Sequence, residues 1–235
     1  MKNKILLACL VFSLNAWASD SLRVYLIPGL GSDYRIFSKI NFRHLDTATI
    51  QRPVPLRWES LEAYAKRLSL QIDTTKPFAL IGVSHGGMLA TEIAARLSPQ
   101  STILISSAQN RLELPSQYRF QRFIPVYLLF PKNLIKSFSY LTQPLVEPDS
   151  KNDKTIFQAM LHAKDPLFLK RSIGMIVRWN RTERTDQVVH IHGNHDRTIP
   201  YRNIKADYTI AGGSHMMTLT RADEISKLIH QILKD

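Results

Sequence analysis

Short, unbroken apolar runs separated by stretches of helical spacing organise most of this chain. The runs at 23–27, 78–83, 102–106 and 188–192 are predicted strands, with weaker ones at 48–50 and 207–210. Their apolar residues are consecutive and not alternating, the pattern of strands covered on both faces. Between them, 59–70 and 87–97 carry helical spacing, the second through Leu89, Ile93 and Leu97. A last helix is predicted to open at Thr220, with Asp223 three residues on as a capping box and Ile225, Leu228, Ile229 and Ile232 as its apolar face. Strands alternating with helices predict an α/β fold with a mostly parallel sheet of about six strands, flanked by helices.

Residues 109–187 break the alternation. This stretch is mostly helix-like, is interrupted by Pro115, Pro125, Pro131, Pro144, Pro148 and Pro166, and holds ten of the chain's 21 aromatic residues. It reads as a helical cap inserted over one end of the sheet. Within it Phe120, Phe123, Tyr127 and Phe130 recur at helical spacing, although Pro125 is placed to kink the segment. Phe123, Tyr127 and Phe130 are the candidates to roof an apolar substrate pocket. The alternative is that this face only packs the insertion onto the rest of the fold.

The first 18 residues follow a different rule. Lys2 and Lys4 precede an uncharged apolar stretch at 5–14, and Ala16-Trp17-Ala18 supplies small residues before Ser19. This is the pattern of a secretory signal peptide cleaved between Ala18 and Ser19, and it predicts a periplasmic or secreted product. The ten apolar residues fall short of the roughly 20 that a bilayer-spanning helix needs. A buried N-terminal helix is the alternative, and a lipoprotein reading through Leu6-Leu7-Ala8-Cys9 fits poorly. Cleavage leaves 19–235 as the mature domain. It removes the only cysteine and lowers the formal charge from +12 to +10. A chain without thiols has no disulfide, thiolate metal site or cysteine nucleophile. Its Lys and Arg residues are scattered without a nucleic-acid motif, so the charge predicts at most weak attraction to anionic membrane surfaces. The row Arg178, Arg181, Arg184 reads as a solvated helix face.

The candidate chemistry lies at predicted strand ends. The run 78–83 passes into Gly82-Val83-Ser84-His85-Gly86 and then a helix, so a G-x-S-x-G motif stands in strand–turn–helix context. The small residues two before and two after Ser84 let strand and helix approach, and Oγ then points out at the carboxyl end of the sheet. A serine hydroxyl needs a base to take its proton. His215, in Gly212-Gly213-Ser214-His215 after the last strand, is placed to be that base. The base needs an acid to fix its tautomer, and Asp196 leaves the 188–192 strand 19 residues before His215. The chain order is Ser84, Asp196, His215.

These motifs, together with the Pro28-Gly29-Leu30 loop, resemble the α/β-hydrolase superfamily, in its small esterase-like branch with a helical cap. The resemblance covers essentially all of 22–235. It implies a Ser-His-Asp triad, no cofactor and no metal, and an oxyanion hole from the backbone N–H groups of His85 and Leu30. The chain departs from the pattern where many relatives have His-Gly in place of Pro28-Gly29, and in having no evident N-terminal antiparallel strands. The reading is an exported serine hydrolase acting on a carboxylic ester, thioester or amide with an apolar group. The alternatives are an acyltransferase using the same triad and a catalytically silent binding protein on the hydrolase scaffold.

Two rival motifs compete for the same residues. His190-x-His192-x-Asn194-His195-Asp196 is similar to the metal-binding run of metallo-β-lactamase-like hydrolases, but only 39 residues follow Asp196 to supply further ligands. Gly29-Leu30-Gly31 imitates a dinucleotide fingerprint, with Tyr34 where the third glycine is needed.

Overall fold

Six strands hydrogen-bond in the order β2-β1-β3-β4-β5-β6, and every pair is parallel. They are β1 (Arg23–Ile27), β2 (Asp46–Thr49), β3 (Phe78–Val83), β4 (Ser101–Ile105), β5 (Val188–Gly193) and β6 (Tyr208–Ile210). The computed structural model describes residues 22–146, 151–185 and 187–234. The predicted signal peptide lies outside the described residues. Side chains of period two send Tyr25, Ile27, Phe78 and Leu80 to one face of the sheet. Val24, Leu26, Ala79, Ile81 and Val83 go to the other. Both faces are buried, which is why the strands read as continuous apolar runs.

The first face is covered by α1 (Leu61–Ser69) and α2 (His85–Leu97). The Ser60 hydroxyl caps α1 by accepting from the Ala63 N–H at 3.1 Å, and Leu61, Tyr64, Ala65 and Leu68 form its buried stripe. The second face is covered by α8 (Ala222–Lys234) through Ile225 and Ile229. The predicted capping box at Thr220 does not form. Residues Met217–Thr220 make a separate short helix, α7, and the Ile225 N–H bonds the Arg221 carbonyl, so α8 starts after Thr220.

Between β4 and β5 the chain builds α3 (Ser116–Gln121), α4 (Lys132–Val146), α5 (Lys151–His162) and α6 (Pro166–Arg178). The prolines set the punctuation. Pro115 and Pro131 immediately precede α3 and α4, and Pro166 opens α6 behind an Asp165 side chain that accepts from the Leu167 N–H at 2.6 Å. The insertion is tied down where it returns. Glu92 of α2, a buried carboxylate, accepts from Trp179 Nε1 at 2.8 Å and from Arg181 Nε at 2.7 Å. Arg184 donates to Glu113 at 2.7 Å. This corrects the reading of Arg178, Arg181 and Arg184 as a solvated helix face. The helix ends at Arg178, and all three guanidiniums hold tertiary partners, Arg178 through the Tyr127 hydroxyl.

Candidate active site

The carboxyl edge of the sheet collects the site because β3, β5 and β6 all end there, each leading into a loop that carries one of the three side chains. At the end of β3, Ser84 adopts φ 53°, ψ −123°, a backbone conformation that a side-chain-bearing residue enters only under constraint. The constraint is visible. The Ser84 N–H donates to the Ile105 carbonyl at 3.0 Å, and its carbonyl accepts from Ser107 Oγ at 2.7 Å. A Cβ on Gly86 would collide with the Ile27 and Pro28 carbonyls, so glycine there is a condition of the turn.

His215 and Asp196 are brought in by a second close approach. A Cβ on Gly193, at the end of β5, would strike the Gly213 backbone. The His195 N–H donates to the Gly213 carbonyl at 3.0 Å, and the Gly212 N–H donates to Asn194 Oδ1 at 2.8 Å. The loop carrying the acid and the loop carrying the histidine are thus stitched together.

The three side chains predicted from sequence meet. His215 Nε2 lies 2.9 Å from Ser84 Oγ, and His215 Nδ1 lies 2.7 Å from Asp196 Oδ2. An ionised carboxylate only accepts, so Nδ1–H donates to Asp196 and Nε2 presents its lone pair to the Ser84 hydroxyl. Asp196 is buried, and its Oδ1 accepts from the Thr198 and Ile199 N–H groups, each at 2.8 Å. Three donors therefore fix both carboxylate oxygens.

His190 and His192, the heart of the metal-like motif, are fully buried behind Asp196. His192 Nε2 is 2.9 Å from the Ile199 carbonyl, and its Nδ1 is 3.2 Å from His190 Nε2. Burial pushes both imidazoles below their ordinary values, His190 well below. His85, inside the elbow, is also fully buried. Desolvation, helped by the charge of Arg52, takes its imidazole down to about 3. Its side chain is neutral, and its backbone N–H sits in the first turn of α2, where no helical carbonyl precedes it.

Arg52 was not singled out by the sequence reading and stands at the same edge. Its side chain is half-buried, and Nη2 donates to the Gly29 carbonyl at 2.8 Å and the Ser32 carbonyl at 2.7 Å. Burial lowers it to about 10. The Gly29 carbonyl and the Leu30 N–H belong to one trans peptide and point in opposite directions. Arg52 holds that peptide by its carbonyl side, so the Leu30 N–H is turned away from the guanidinium. The sequence signal was a lone cation two residues after a weak strand, lost among scattered charges.

Above Ser84 lies a mostly apolar cavity of about 230 Å³, with Leu30, Met88, Tyr118, Phe157, Leu161 and Ile176 among its walls. The aromatic roof differs from the expected one. Phe123, Tyr127 and Phe130 do not line this cavity, and Tyr118 and Phe157 do. Pro125 is the reason. It follows the end of α3, so the spaced rings belong to α3's exit, a short 3-10 turn at Val126–Leu128 and the approach to α4. Phe123 and Phe130 are exposed, while Tyr127 is buried with its hydroxyl accepting from Arg178 at 2.7 Å.

A parallel α/β sheet with a strained serine elbow and a histidine and aspartate delivered by later strands defines an α/β-hydrolase-type protein. The model of the alpha/beta hydrolase family matches residues 11–228, and the chain belongs to that family. No curated sequence matches it. Among solved structures it is similar to a hydrolase from Pseudomonas aeruginosa PA01, at TM-score 0.70 and 14% identity over 93% of this chain and 92% of that one. It is also similar to a malate-bound thermophilic esterase from Thermogutta terrifontis (TM-score 0.68, 13% identity, 91% and 90% covered). A third is MenH from S. aureus (TM-score 0.69, 17% identity, 91% and 93% covered).

Proposed function

We propose that the protein is an exported serine hydrolase that cleaves carboxylic esters, with Ser84 as nucleophile, His215 as base and Asp196 as its orienting acid. The observation that carries this reading is the continuous chain Ser84–His215–Asp196, with contacts of 2.9 and 2.7 Å, beneath a mostly apolar cavity. Family membership and the esterase among the structural relatives support it.

In the first half-reaction Ser84 Oγ attacks the ester carbonyl carbon as His215 Nε2 takes its proton. The carbonyl oxygen becomes an oxyanion, received by the N–H groups of His85 and Leu30, and one such donor is worth about 3 kcal/mol in related chemistry. Asp196 stabilises the imidazolium. The intermediate collapses, the C–O bond breaks, and His215 returns the proton to the departing alcohol. Water then repeats the sequence on the acyl-enzyme, releasing the carboxylic acid and restoring Ser84. The cavity favours an apolar acyl or alcohol group, since each buried methylene contributes about 0.8 kcal/mol. The N-terminal pattern of Lys2, Lys4, the 5–14 apolar stretch and Ala16-Trp17-Ala18 supports export.

The test is a panel of esters with graded acyl length, run on purified protein beside Ser84→Ala. The expected result is hydrolysis that rises from acetyl to medium chains and vanishes in the variant. Turnover retained by Ser84→Ala, or no turnover of any ester, overturns the reading.

A further inference from the structure

The insertion carries much of its apolar surface outward. Among the described residues sixteen large apolar side chains are exposed, and ten of them fall between Phe120 and Leu141. Phe123 and Leu129 are each 80% exposed and Leu141 is 73% exposed. Isolated exposed apolar residues are ordinary, but a concentration on one segment marks an interaction face. The segment is compact. Pro125 to Leu129 is folded by short-range bonds from the Leu128 N–H to the Pro125 carbonyl and from the Leu129 N–H to the Val126 carbonyl. On α4, Leu134 and Leu141 share a solvent-facing stripe seven residues apart, while Ile135 turns inward.

Within the segment itself the charge has one sign. From 114 to 146 the sequence has no Asp or Glu, and it has Arg119, Arg122, Lys132 and Lys136. Beside the apolar tip lies a second cavity of about 310 Å³ whose walls include Trp58, Lys132, Lys170, Arg171 and Arg178 and, among the described residues, no carboxylate. Lys170 donates to the Leu128 and Phe130 carbonyls and Arg171 to the Pro55 carbonyl, contacts that leave their positive charge uncompensated. Trp58 is exposed on the rim at φ 62°, a conformation rare for a bulky residue, with the Arg57 and Arg178 guanidiniums over its ring.

We propose that this face docks on an anionic lipid bilayer, with the Phe123–Leu129 tip in the acyl boundary and the basic cavity at headgroup depth. Apolar side chains flanked by cations, with an aromatic ring at the rim, are what an interfacial anchor requires. A second copy of the chain is the poorer occupant, because a two-fold dimer through this face would press the same cations together. The two helices involved also wall the cavity over Ser84, through Tyr118 of α3 and Ser139 of α4. Docking therefore brings the site beside the lipid. The inference stands apart from which bond Ser84 attacks.

Sedimentation with vesicles tests it, using protein as purified from its expression host, with parent and variants carrying the same N-terminus. Vesicles of phosphatidylglycerol should bind the parent at least about tenfold more tightly than phosphatidylcholine, and salt at about 0.5 M should weaken that binding. The double variant Phe123→Ser/Leu129→Ser should bind phosphatidylglycerol at least about tenfold more weakly with an unchanged melting temperature. Lys132→Gln should cost about fivefold. Equal binding to both lipids, no binding, or a double variant that binds like the parent overturns the proposal. So does a dimer in light scattering that the double variant converts to monomer.

Discussion

Ser84 has no useful basicity or acidity of its own at neutral pH, so the proposed role as nucleophile depends on groups that are themselves held in place. Members of such a unit fail together. Ser84→Ala and His215→Ala should each lower ester turnover by about 10⁴-fold or more, and the double variant little further. Asp196→Asn should cost about 10⁴-fold, because an amide leaves the wrong tautomer on His215. Circular dichroism should show all of them folded. Arg52 acts one step away, through the peptide between Gly29 and Leu30. Arg52→Met should lower kcat about tenfold or more with KM little changed, because the misdirected N–H meets the oxyanion and not the bound ester. Arg52→Lys should partly restore kcat. Equal losses of activity and melting temperature in both variants would make Arg52 a packing residue only.

At the scale of elements, the end of the insertion is held to α2 by the contacts of Glu92 with Trp179 and Arg181. Glu92→Ala leaves an indole N–H and a largely buried guanidinium without their acceptor. It should destabilise the protein by about 3 kcal/mol in urea unfolding. A change of only a few tenths would show that the insertion is secured elsewhere. This contact was invisible in the sequence because it joins residues 92 and 181, and no local pattern records their approach. The strands were legible because burial on both faces leaves consecutive apolar residues such as 78–83. The loops bearing Ser84, Asp196 and His215 were legible because glycines mark each tight turn. Expectation failed where register depends on tertiary contacts. Pro125 divides a run of aromatic residues into separate faces, so the cavity roof comes from Tyr118 and from Phe157, far along the chain. The start of α8 moved for a related reason, since Thr220 is consumed by the short helix before it.

For the molecule as a whole, three buried histidines set its response to acid. His85 is held at about 3, and His190 and His192 are also pushed down by burial. Unfolded, each titrates near its ordinary value of about 6.5. Below that value the unfolded chain binds protons that the native one refuses, so the contribution of all three is intact above about pH 6.5 and declines as pH falls, for His85 down to about 3. The slope is up to about 1.4 kcal/mol per pH unit for each histidine. Calorimetry should show the melting temperature falling steadily below about pH 6.5, and His85→Asn should flatten the fall. A melting temperature constant down to about pH 4 would contradict the assignment. The central claim, an activated serine at residue 84, is tested most directly by a fluorophosphonate probe followed by peptide mass spectrometry. The account predicts stoichiometric phosphonylation at Ser84 in the parent, and none in His215→Ala. An unlabelled parent, or a label carried by another residue, would contradict it.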